Sequence, residues 1–87
     1  MPLLSTFAGI KIYMQFNDIG QHNKPHIHVI YGEHEAVIAV DGELLAGGLP
    51  RKQYRIVDGW LSLREEEVYE AWNKAVRNEH FKQVAPI

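Results

Sequence analysis

Along the first half of the chain, apolar residues recur at every second position. Ala8, Ile10, Ile12, Met14 and Phe16 alternate with positions that include Lys11 and Gln15. That period describes a strand with one buried face, interrupted at most by Gly9. The next stretch, NDIGQHNKP, gathers Asn, Asp, Gly and Pro and predicts a loop. HIHVIYGEHEAVIAV comes next as two β-rich runs around Gly32, the pattern of a hairpin. With Gly32 and Glu33 as the two-residue turn, glycine at the first central position suits a type II′ turn. Tyr31 then opposes His34, Val29 opposes Ala36, and Ile27 opposes Ile38. These mostly apolar residues share the face expected to meet the core. His26, His28, Ile30, Glu35, Val37 and Ala39 fall on the other face, and a slip of one residue would reverse the assignment. DGELLAGG predicts a turn at Asp41 and Gly42 and a short strand near Glu43 to Ala46.

From Pro50 onward the period changes. Pro50 suits an early helical position, and Tyr54, Val57 and Leu61 recur at helical spacing. Ser62 with Glu65 fits a capping box, and the acidic run Glu65 to Glu67 favours a helix start. Val68, Trp72 and Ala75 or Val76 supply the next apolar stripe. Two helices meeting near Ser62 are expected; one long helix through Gly59 is the alternative, since no proline forbids it. His80 is expected at the end of the last helix. The fold class is therefore α+β: a small antiparallel sheet of three to four strands followed by two C-terminal helices packed on one face. A single domain over residues 1–87 is expected, with a strand half at about 5–47 and a helical half at about 50–79.

At 87 residues a lone core is thin, so burial against another chain, including a homo-oligomer, is a natural supplement. The absence of cysteine removes disulfides and thiolate zinc sites from consideration. The N-terminal stretch does not read as a signal peptide, and no apolar run approaches the roughly 18 residues that span a bilayer. A cytoplasmic protein without membrane attachment is expected. The formal net charge of −2 gives no general attraction to nucleic acid.

Four of the five histidines lie between His22 and Glu35. His26 and His28 are two apart on a strand, which places both rings on one face about 7 Å apart. Such a pair can converge on a divalent metal such as zinc, with His22 reaching in from the loop and Glu35 from the neighbouring strand. It can also act without metal, one histidine as general base and the other as general acid. The plain alternative is a polar strand face with no chemistry. His34 and His80 need no function. Arg51, Lys52 and Arg55 oppose the dipole of the helix they begin. With Lys24, Arg51 and Arg55 are candidates for binding phosphate or an acidic partner surface, against a solvated face paired with Asp58 or the Glu65 to Glu67 run. Trp60, Trp72, Tyr54 and Tyr69 form an aromatic concentration that is mostly core, with part available to another protein. Phosphate-binding glycine loops, a nucleophile elbow and a His-Glu-x-x-His motif are all missing.

At PHIHVIYGEHEAVI, preceded by STFAGIKIYM and followed by LPRKQYRIV and EEEVYEAWNKA, the sequence resembles a small bacterial family, domain of unknown function 4160. The resemblance runs from about Pro2 to Val84 and is most specific at Pro25-His26-x-His28-Val29 with Tyr31-Gly32-Glu33. The stretch before Pro25 is slightly longer than is usual in that family, so a role for His22 does not transfer. The resemblance implies a compact α+β domain and a genomic neighbour of the domain of unknown function 2442 family, an arrangement like a two-gene toxin–antitoxin module. It implies no established activity. HIHVI is also similar to the strand of the histidine-triad nucleotide hydrolases, but Lys24 and Ile30 stand where a third alternating histidine would be.

Two functions are therefore set against each other. One is a protein-interaction component of a toxin–antitoxin-like module, using aromatic or basic helical surfaces or a free strand edge. The other is a small ribonuclease or metal-dependent hydrolase, with His26 and His28 catalytic, Arg51 or Arg55 on phosphate and Glu35 orienting a histidine. A DNA-binding regulator is disfavoured, because no helix is basic along a whole face.

Overall fold

The computed structural model describes residues 2–14 and 24–87. His22 and the rest of the stretch read as a loop before Lys24 lie outside the described residues. Five strands precede one helix: β1 (Leu3–Phe7), β2 (Ile10–Tyr13), β3 (His26–Tyr31), β4 (His34–Ala39), β5 (Leu44–Gly47) and α1 (Arg51–Val76). The strands form one antiparallel sheet in the order β1-β2-β3-β4-β5.

The expected three to four strands are five because an additional strand, β1, lies almost wholly before the alternation that begins at Ala8. Ala8 and Gly9 both take positive φ, 52° and 74°, the requirement of a type I′ turn. Phe7 therefore opposes Ile10, and Thr6 opposes Lys11. The alternation from Ala8 onward begins in this turn, so it reports β2 and not the strand before it.

The β3–β4 hairpin has the expected register: Tyr31 opposite His34, Val29 opposite Ala36 and Ile27 opposite Ile38. Gly32 has φ of 57°, whereas Glu33 is not among the residues of positive φ, as a type II′ turn requires. In β5, Ala46 faces Val37 but Leu44 faces Ile38, leaving Leu45 as the extra residue of a bulge. Gly47, at φ 69°, lies so close to β4 that a side chain there would collide with the Glu35 carbonyl oxygen. That approach lets the Gly48 N–H donate to the same oxygen at 3.0 Å.

The two expected helices are one helix of 26 residues. Its only irregular residue is Arg64, at φ −117° and ψ 19°, so the axis kinks two residues after the predicted break without ending. Ser62 makes no capping bond and stays helical. Gly59, with open space where a side chain would stand, does not interrupt the helix either. At the C-terminus Asn78 adopts φ 59°. Its N–H donates to the Ala75 carbonyl at 3.0 Å and that of Glu79 to the Lys74 carbonyl at 2.8 Å, the paired bonds of a Schellman ending. His80 therefore lies beyond the helix, exposed, rather than at its end.

Leu4, Ile10, Ile12, Ile27, Val29, Ile38, Val57, Trp60, Leu61 and Val68 form the centre of one hydrophobic core. The segment after α1 returns to the sheet. The Val84 N–H donates to the Leu4 carbonyl at 2.9 Å, and Trp60 Nε1 donates to the Ala85 carbonyl at 2.8 Å. At the other side, the Tyr54 hydroxyl donates to the Gly42 carbonyl and ties α1 to the β4–β5 turn. Among the described residues, no helix is long and apolar enough to cross a membrane.

Candidate functional site

His26 and His28 remain neighbours, with ring centroids 5.5 Å apart, but they occupy different environments. The expectation that both point away from the core fails for His26, which is fully buried. Its ring lies 4.9 Å from that of Trp72, tilted by 55°. Its Nδ1–H donates to the Lys24 carbonyl at 2.6 Å; since a carbonyl only accepts, this fixes the proton on Nδ1. A strand's alternation states which side a residue faces, not what another element lays over it. Here the helical segment beyond Arg64 brings Trp72 onto the imidazole.

His28 is half-buried. With Ile30, Glu35, Val37, Ala46 and Gly47 it lines a shallow cleft of about 190 Å³ on the sheet. Tyr13, His28, Val37 and Ala46 form a cross-strand row, because each is the register partner of the next. Glu35 is exposed and directly opposes Ile30. Among the described residues, no three His, Asp or Glu side chains are grouped so as to hold a metal ion.

Lys24 is engaged by two carboxylates. Its Nζ lies 2.8 Å from Asp41 and 2.6 Å from Glu43. The hydrogen bond to Asp41, then that to Glu43, holds the ammonium above its ordinary pKa. The same bond from Lys24, helped by the Glu43 N–H at 3.1 Å, holds the Asp41 carboxyl below its usual range. Sequence reasoning overlooks Asp41 as a partner, yet the hairpin register carries the signal. Continuing the pairing of His26 with Ala39 by two residues sets Lys24 against Asp41, and the Val40 N–H bonded to the Pro25 carbonyl lies on that path.

Arg51, Lys52 and Arg55 are exposed on the first turns of α1 and line a separate surface concavity with Ile56. The alternative of local pairing with Asp58 or Glu65 to Glu67 is not realised: none of the three has an ion pair among the described residues. The helix start has no acidic residue in its first turn and no side-chain cap. Trp60 and Trp72 are buried, while Tyr54 and Tyr69 are half-buried against the same core. What stays accessible at this end is the cation cluster and, four residues before it, the outer edge of β5.

An antiparallel five-stranded meander with one kinked helix behind it defines a small α+β protein whose most conspicuous histidine is enclosed. A family model described as domain of unknown function (DUF4160) matches residues 9–73. The chain belongs to that family. No curated protein and no solved structure matches it.

Proposed function

We propose that this chain is a protein-interaction component of a toxin–antitoxin-like two-gene module, with a partner of the domain of unknown function 2442 family. The observation that supports this reading is the cluster Arg51, Lys52 and Arg55. These are three exposed cations without ion partners among the described residues, at an uncapped helix start beside an open strand edge. Holding like charges together against a helix dipole is locally unfavourable, and an acidic partner surface relieves it. The test is co-expression with the partner and affinity capture. Wild type retains the partner, and the Arg51→Glu, Lys52→Glu, Arg55→Glu variant loses it while His28→Ala keeps it. Failure of wild type to retain the partner overturns the proposal.

A second reading, a histidine-dependent ribonuclease or hydrolase, draws on His28 and Glu35 sharing one cleft. It would place chemistry on His28, with His26 as a buried positioning residue. Growth arrest on expression that is abolished by His28→Ala, with the protein still folded, would favour it over the binding role.

A further inference from the structure

We infer that the solvent face of the first half of α1 docks an acidic amphipathic helix of a partner protein, seated at Gly59. The inference rests on reading Arg51, Lys52 and Arg55 as a protein-contact surface, and it names the segment that fills it. At 3.6 residues per turn, Lys52, Arg55, Ile56, Gly59 and Leu63 fall within about 100° of arc, all ahead of the kink at Arg64. The buried Val57, Trp60 and Leu61 lie outside that arc. Leu63 is 71% exposed, more than any other large apolar side chain among the described residues.

Gly59 needs a reason that lies outside the chain. A glycine inside a helix weakens it relative to alanine. Its φ is not positive, and a Cβ there meets nothing within 4 Å among the described residues. Neither backbone conformation nor internal packing therefore calls for glycine, in contrast to Gly47, where a Cβ strikes the Glu35 carbonyl. What glycine provides at position 59 is a notch in the outward ridge between Arg55 and Leu63, where a crossing helix can seat a side chain.

Charge and chemistry define the occupant. Arg51, Lys52 and Arg55 stand at the N-terminal end of this face, exposed and without ion pairs among the described residues. The start of α1 lies beside the chain's own acidic β4–β5 turn, but Asp41 and Glu43 there are engaged by Lys24. The occupant therefore carries acidic side chains at that end and apolar ones against Ile56 and Leu63. A strand gains nothing here, because the backbone inside a helix is already bonded; a helix brings the ridge that fits the notch. Nucleic acid would leave Ile56 and Leu63 facing phosphate, and the net charge of −2 does not favour it.

Binding of the co-expressed partner protein, titrated against the purified full chain and its variants, tests this. Gly59→Ala and Gly59→Leu should leave thermal stability equal or higher, because the position is helical and open. Binding should nevertheless weaken, about threefold for alanine and about a hundredfold or more for leucine. Leu63→Ala should weaken it about tenfold with helical circular dichroism unchanged. Hydrogen exchange on the complex should protect one helical partner segment with acidic residues at one end. Full affinity in Gly59→Leu, or protection of a strand or a basic segment, overturns the inference. If the Arg51→Glu, Lys52→Glu, Arg55→Glu variant loses the partner while Gly59→Leu keeps it, the contact-surface reading stands and the seat at Gly59 falls. If wild type does not retain the partner, both fall. Self-association of the chain alone in sedimentation velocity, abolished by Gly59→Leu, would assign the face to a second copy and likewise overturn the inference.

Discussion

His26 and Trp72 lie ring against ring, 4.9 Å between centroids, with the histidine fully buried and its Nδ1–H bonded to the chain two residues behind. This makes His26 part of the packing between sheet and helix. Removing a buried ring leaves both a cavity and an unpaired carbonyl. His26→Ala should therefore cost about 2–4 kcal/mol, whereas His28→Ala, at a half-exposed position, should cost under about 1 kcal/mol. Urea unfolding of the two single variants measures the difference. Equal costs would refute the assignment of His26 to the core.

Gly59→Ala is expected to stabilise the protein. The position is helical, and a Cβ there meets nothing within 4 Å. The gain should be about 0.5–1 kcal/mol, from a less flexible unfolded chain and better helix propensity. Thermal unfolding should shift upward by roughly 4 °C.

Gly47→Ala should act in the opposite direction. The residue combines φ of 69° with a backbone approach that leaves no room for a methyl group beside the Glu35 carbonyl. A loss of about 2 kcal/mol or more is expected, with β5 detaching before the rest of the sheet. Hydrogen exchange should show the Gly48 amide losing protection first.

The ion triad of Lys24, Asp41 and Glu43 gives stability a defined pH window. Asp41 has its folded pKa lowered, so its contribution is complete above about pH 4–5 and is lost as pH falls through the folded value. Lys24 has its folded pKa raised, so its contribution is complete below about pH 10 and is lost as pH rises through the folded value. Lys24→Met should flatten the acid side of the stability curve between about pH 5 and pH 2. Added salt should shrink the difference between wild type and variant, since the groups are exposed. Denaturant titrations at several pH values check both effects.

The parts of the fold legible in the sequence are those whose physics is local. The Gly32 turn fixes the register of β3 and β4, because a two-residue loop leaves the pairing no freedom, and that register carries Lys24 to Asp41. The first hairpin is hidden because Ala8, at φ 52°, is an unusual residue for a type I′ turn. The pattern places the break at Ser62 because Ser62 and Glu65 fit a capping motif, whereas the irregular residue is Arg64, two places on, and the helix resumes after the kink. The placement of His26 and His28 together on one strand is legible, but their accessibility is not. Whether His26 faces solvent depends on Trp72, far along the chain on α1, and no periodicity on β3 reports that distance.

The bond from Val84 to Leu4 has a consequence for assembly. A sheet with two bare margins can add molecules indefinitely and grow into a fibre. Here the Val84 N–H takes one carbonyl of the β1 margin, so an incoming strand would have to displace the chain's own segment before it could pair there.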